Sequence, residues 1–340
     1  MSNRDPIRTW IYKNLEIVVL PLALISLVFL MGSFNPSRFY SVKNATAMAF
    51  QLPELGLFSM AMMIAMITGG INLSIISTAN LSNVLMALAL TQWGAPDSEM
   101  HVGLVLLIVL GGLIFSAFLG MINGVLIAYA GVSAVLTTVG TMIFYEGLTL
   151  AITKGYVLSG FPPEFLAFGN KTWLGVPIPF FLFISAAFVL WLIFRGRPFG
   201  RQLFLIGSNK TAVEYSGIDV KMALVKAYML SGVYAGLAGV VMLSRFNSAN
   251  ARYGVSYLLA SVLVAVLGGT DPDGGRGRIS GLVLALFTLQ VLTSGLNLMK
   301  VSSFVTIAFW GVLLVFVIAY RRFAVYRRDQ WMTNKAREQK

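Results

Sequence analysis

Ten apolar runs, covering roughly residues 16–32, 46–68, 71–91, 103–130, 132–153, 178–195, 223–243, 255–270, 279–296 and 303–320, constrain this chain more than any other feature. A helix needs about 20 apolar residues to cross a bilayer. In lipid only helices and closed barrels satisfy every backbone N–H and C=O, and runs this continuous lack the two-residue alternation of barrel strands. The expected fold is an all-α integral membrane protein. It is a polytopic bundle of about ten transmembrane helices, one transmembrane domain over residues 1–340. The eighth run is short and ends in glycines. Gly69-Gly70 is so tight that the second and third runs read either as two spans or as one broken helix. The first run follows Arg4, Arg8 and Lys13 but lacks a clear small-x-small cleavage site, so it reads as a first transmembrane helix.

Charged residues make up 11% of the chain, against roughly 25% in soluble proteins. The net charge of +12 would suit nucleic acid, but its placement says otherwise. With both termini in the cytoplasm, 18 of the 25 Lys and Arg residues fall in inner segments and seven in outer ones. That asymmetry is the signature of cytoplasmic loops. The cluster Arg321, Arg322, Arg327 and Arg328 then sits beside anionic headgroups. The partner implied by the charge is membrane lipid, with no nucleic acid. There are no cysteines, and His101 is the only histidine. This excludes disulfides, thiolate sites and His-rich metal or catalytic clusters.

Within the runs, Gly112, Ser116, Gly120, Gly124 and Ala128 place a small residue every four positions. Such a stripe lets another helix backbone approach closely. Gly232, Gly236 and Gly239 read the same way. Polar side chains in lipid are costly and mark helix contacts or pathways. The translocation-path candidates are Asn72, Ser77, Asn80, Asn83, Thr141 and Glu146. For Glu146 a structural and a pore role stand side by side.

One long polar segment interrupts the apolar runs. Residues 196–222 carry Arg201, Lys210, Glu214, Asp219 and Lys221. The Lys210–Glu214 pair has helical i,i+4 spacing, and glycines flank it. The segment reads as a cytoplasmic coupling loop that touches a soluble motor subunit, with Gly207, Asn209, Glu214, Tyr215 and Gly217 as the coupling candidates. Nucleotide motifs are absent. Gly207-Ser-Asn-Lys-Thr lacks the upstream glycine of a phosphate loop, and Gly275-Arg-Gly277 misses the dinucleotide spacing. With no nucleophile–base pair either, the chain reads as a transporter subunit and not an enzyme.

Four blocks, in order, carry a family resemblance: Thr68-Gly-Gly-Ile-Asn-Leu-Ser74, Leu136-Thr-Thr-Val-Gly-Thr-Met142, Phe199-Gly-Arg through Ser216-Gly-Ile-Asp-Val220, and Val266-Leu-Gly-Gly-Thr270 followed by Gly274-Gly-Arg-Gly277. The chain resembles the permease subunits of bacterial ATP-binding cassette importers of the ribose/monosaccharide type, with branched-chain amino-acid permeases as more distant relatives. It departs from the pattern at Asn72, where the family carries Asp, at Ile75-Ile-Ser77, at Glu146 and at Asp271-Pro-Asp273. The resemblance implies a multi-pass protein of the bacterial cytoplasmic (inner) membrane. It also implies a second permease subunit, identical or a sister chain, with cytoplasmic ATP-binding cassette subunits beneath and a periplasmic or lipid-anchored solute-binding protein above. No cofactor belongs to this chain, and ATP is used by the partner. The implied solute is small and polar, most simply a monosaccharide. A nucleoside or branched-chain amino acid, and an ion-gradient-driven secondary transporter, are the alternatives.

Overall fold

The computed structural model describes residues 15–93, 101–317 and 319. The basic residues before Leu15 and after Tyr320 lie outside the described residues. In chain order the helices are α1 (Leu15–Phe34), α2 (Pro36–Phe39), α3 (Val42–Ile67), α4 (Ile75–Trp93), α5 (Val102–Ala128), α6 (Ala134–Thr153), α7 (Pro163–Asn170), α8 (Ile178–Gly196), α9 (Pro198–Ser208), α10 (Lys210–Tyr215), α11 (Val220–Phe246), α12 (Val255–Leu267), α13 (Ile279–Leu298) and α14 (Ser303–Val317). Among them α3, α4, α5, α6, α8, α11 and α13 are long and apolar enough to cross a membrane. Leu20–Phe34 of α1, α12 and α14 are shorter apolar helices. Two short antiparallel pairs complete the fold. β1 (Leu158–Ser159) sets Leu158 opposite Ala249 of β4 (Ser248–Ala249), and β2 (Thr172–Trp173) sets Thr172 opposite Pro177 of β3 (Val176–Pro177).

The second and third apolar runs are two helices separated by residues 68–74. The stop after Ile67 is a Schellman motif. The Gly69 N–H donates to Met66 O at 2.9 Å and the Gly70 N–H to Ala65 O at 3.3 Å. Gly69 holds φ +84, a left-handed conformation that favours glycine. The chain ends α12 by the same device, with the Thr270 N–H on Ala265 O at 2.9 Å. Both motifs satisfy carbonyls that a helix end leaves bare.

Packing runs opposite to that of a soluble protein. α3 is buried from Leu52 to Ile67 and packs against α8, α11, α12 and α13. α5, far more apolar in composition, exposes Leu106, Leu107, Leu110, Ile114 and Phe118. The most apolar faces therefore point outward, as lipid requires, and close fit holds the centre together. The small-residue stripe of α5 meets α11. A Cβ on Gly120 would lie 2.3 Å from the Tyr228 carbonyl, and one on Gly232 would lie 2.3 Å from the Ser116 carbonyl. The stripe is thus a backbone-to-backbone seam.

Gly120→Leu is expected to lower membrane abundance strongly, because its side chain would meet main chain, with a cost at or above the ~1–3 kcal/mol of core overpacking. Gly111→Leu, where nothing lies within 4 Å of the added Cβ, is expected to insert normally. Immunoblotting of isolated membranes reads both.

Candidate functional site at one end of the bundle

The four sequence blocks, far apart along the chain, close into one cluster where α3 ends. The Gly275 N–H donates to the carbonyl of Ile67, the last residue of α3, at 2.9 Å. Gly207, near the end of α9, lies over this bond. A Cβ there would come within 2.0 Å of Ile67 O and 2.4 Å of Gly275 N. A Cβ on Gly274 would lie 2.7 Å from Gly69 N and 2.9 Å from Gly207 Cα. The remaining block joins through Thr138, whose hydroxyl donates to Ile71 O at 3.0 Å. Main chain meets main chain here, with no flexible side chains between.

Beyond Gly207 the chain turns outward. Asn209 caps α10, its Oδ1 accepting from the Ala212 N–H at 3.0 Å. This is the ordinary task of an Asn at a helix start. Val213 is the buried residue of α10. Lys210, Glu214 and Tyr215 face outward, and the Tyr215 ring is 91% exposed. Gly217, at φ +76, ends the helix, and Asp219 caps α11 through the Met222 N–H at 2.9 Å. The five coupling candidates thus fall on one continuous stretch, from the end of α9 through α10 to the turn before α11. Gly207 is its inner contact, Asn209 and Gly217 shape its ends, and Glu214 and Tyr215 form its outer surface. α9 and α10 form a lever whose inner helix, α9, rests at Gly207 on the end of α3 and on the α12–α13 turn, which also carries Asp271-Pro-Asp273.

A buried chain of hydrogen bonds runs behind this cluster. The Thr141 hydroxyl donates to Asn123 Oδ1 at 2.6 Å, and Asn123 Nδ2 donates to Ser74 Oγ at 2.7 Å. Ser74 then donates to Asn72 Oδ1 at 2.8 Å, Asn72 Nδ2 to Ser231 Oγ at 3.0 Å, and Ser231 to Ala61 O at 2.8 Å. The chain joins α6, α5, the 68–74 break, α11 and α3. Each donor has an acceptor, which is what makes such a network rigid and not merely costly. It also accounts for an amide at position 72, since a carboxylate has no N–H for Ser231.

The other path candidates lie elsewhere. Ser77 donates to Ser74 O at 3.0 Å within its own helix start. Asn80 Nδ2 donates to Ala251 O at 2.9 Å and Tyr253 O at 3.0 Å, which pins the loop before α12. Asn83 is buried against Gly239, and its Oδ1 has no partner among the described residues. Glu146 is partly exposed on α6 and pairs with Arg252 Nε at 2.9 Å.

Glu54, the only acidic residue in the 46–68 run, is not among the path candidates that the sequence offers. Its side chain is fully buried. Oε1 accepts from Arg245 at 2.5 Å and Oε2 from the Tyr257 hydroxyl at 2.9 Å. One carboxylate therefore ties α3 to the end of α11 and the start of α12. A charge inside an apolar run was the available signal. Arg245→Ala is expected to destabilise the fold by about 3–5 kcal/mol, because it strands a buried carboxylate. The double variant Glu54→Gln with Arg245→Ala should recover much of that loss in a detergent thermal-melt assay.

The chain matches the description "Branched-chain amino acid transport system / permease component" over residues 44–318. It is 34% identical to the autoinducer 2 import system permease protein LsrD of Enterobacter sp. (strain 638), over 94% of this chain and 96% of that protein. Identity to the ribose import permease protein RbsC of Bacillus subtilis (strain 168) is 36%, over 88% and 91% of the two chains. The D-allose transport system permease protein AlsC of Escherichia coli (strain K12) is 31% identical over 88% and 89%. No solved structure matches the chain at a significant level. A match across most of the chain, which takes in all four converging blocks, shows that it belongs to the branched-chain amino acid transport system permease component family.

Proposed function

We propose that this permease carries a monosaccharide across the bacterial cytoplasmic membrane, driven by separate cytoplasmic ATP-binding cassette subunits that dock on α10. The convergence of the four blocks at the end of α3 carries the reading. The chain itself is a transporter subunit, not an enzyme, and ATP hydrolysis belongs to the partner. The names of the relatives, which include ribose, D-allose and autoinducer 2 import, support the sugar assignment. A branched-chain amino acid is the second reading, favoured by the family description.

In this reading ten helices cross the membrane. The excess of Lys and Arg supports a cytoplasmic location for both termini and for the 196–222 loop. A second permease subunit, identical or a sister chain, completes the pathway, and a periplasmic or lipid-anchored binding protein delivers the solute. The path candidates serve it in two ways. Asn72, Asn80 and Thr141 brace the elements that frame the pathway, with Ser77 and Asn83 buried beside them on α4, and Glu146 with Arg252 offers an ion pair on an outward face. Motion of the cassette subunits passes from α10 to α9 and reaches α3 as a rigid-body displacement, because Gly207 of α9 sits on the end of α3 with main chain against main chain.

Two variants test the coupling role. Glu214→Lys is expected to insert normally and weaken co-purification of the cassette subunit. Gly207→Ala is expected to keep that subunit bound and yet lose most solute-stimulated ATP hydrolysis. Normal co-purification and normal coupling in both variants would remove the docking role.

A further inference from the structure

At the end of the bundle away from the coupling loops, α3, α12, α13 and α14 surround a cavity of about 260 Å³. Gln51, Tyr257, Gln290, Asn297, Thr306 and Trp310 supply most of its chemistry. No Asp, Glu, Lys or Arg lines it among the described residues. The nearby carboxylate of Glu54 is withdrawn. Both of its oxygens are bound, by Arg245 and by the Tyr257 hydroxyl, and the second bond fixes the Tyr257 ring in the wall. Gln290 Nε2 donates to Gln51 Oε1 at 2.9 Å, which leaves the Gln51 N–H pair and the Gln290 carbonyl for a solute. The indole N–H of Trp310 is buried without a partner among the described residues.

We infer that this cavity is a transit site for a neutral polyhydroxylated solute of about one sugar ring. Side-chain amides place a donor beside an acceptor, which matches adjacent hydroxyls that both give and accept. Tyr257 and Trp310 offer apolar ring faces to ring C–H groups. The volume lies below the roughly 300–1,000 Å³ of drug-sized sites. A zwitterion would leave its carboxylate and ammonium without counter-charges, at a high desolvation cost. The inference rests on the monosaccharide reading and gives it a location on this chain.

The natural absence of cysteine makes the test direct. Thr293→Cys and Asn297→Cys place single thiols in the lining. Each is made in the full chain, co-expressed with its importer partners in intact cells. A membrane-impermeant methanethiosulfonate added outside is expected to label both, and to label them more slowly with D-ribose or D-allose, whichever the wild type imports, but not with L-leucine. Gln290→Leu is expected to lower uptake of that sugar about tenfold, the scale of one stranded hydrogen bond, at unchanged membrane abundance. If the Cys variants import sugar but the thiols are unlabelled, or are labelled equally with and without it, the cavity is overturned and the sugar reading stands. If the wild type imports L-leucine and neither sugar, the sugar reading fails and the transit site fails with it.

Discussion

The contact between Gly207 and the hydrogen bond from Gly275 to Ile67 is the constraint on which the rest of this structure depends. It exists because α3 stops inside the protein, where its last carbonyl must find a donor. The donor comes from the turn between α12 and α13. The α9–α10 lever closes over both, at a distance that any side chain on Gly207 would prevent. Three segments that a folding chain makes separately are thereby held as one body. α10 rests through Val213 on the apolar side chains of α9 and α11, and the backbone contact itself is made by Gly207 of α9.

The remaining interactions hold the ends of the lever's target in place. Below the break in α3, the relay from Thr141 to Ala61 locks four helices at one level. Toward the far end, Glu54 binds α3 to α11 and α12 through Arg245 and Tyr257. α3 is therefore anchored at two depths by polar contacts and along its length by close packing. Lipid supplies no strong force to drive helices together, so small residues and satisfied hydrogen bonds carry the load. The seam of Gly120 and Gly232 is the clearest instance.

Much of the helical architecture was legible in the chain, because apolar runs of membrane length admit few folds. The stripe from Gly112 to Ala128 was readable as a packing seam, and its partner stripe was readable too. The polar 196–222 segment stood out from the apolar runs, and the Lys210–Glu214 spacing with its flanking glycines pointed to a short helix there, which is α10. What the chain did not disclose was depth and pairing. Asn72 and Thr141 look like isolated polar residues, and only the fold shows that Ser74 and Asn123 link them. Glu54 escaped because one carboxylate in an apolar run gives no hint of an arginine almost two hundred positions away. Pairings of that separation are a property of the topology, not of local pattern. In the sequence Gly207 is a glycine flanking a short helix, and Gly274-Gly275 belongs to a family block. Their closeness to Ile67 and Gly69 became visible only when the blocks were brought together in space.

The central claim, that the lever and the α12–α13 turn move as one body with the end of α3, is tested most directly by spin-label distances in the assembled importer. Labels at Thr211 and Asp273, both exposed, report across the contact. The account predicts that their distance distribution stays the same with and without ATP, while the distance from Thr211 to its equivalent in the second permease subunit changes. A nucleotide-dependent separation of Thr211 from Asp273, with the distance between the two levers fixed, would contradict it.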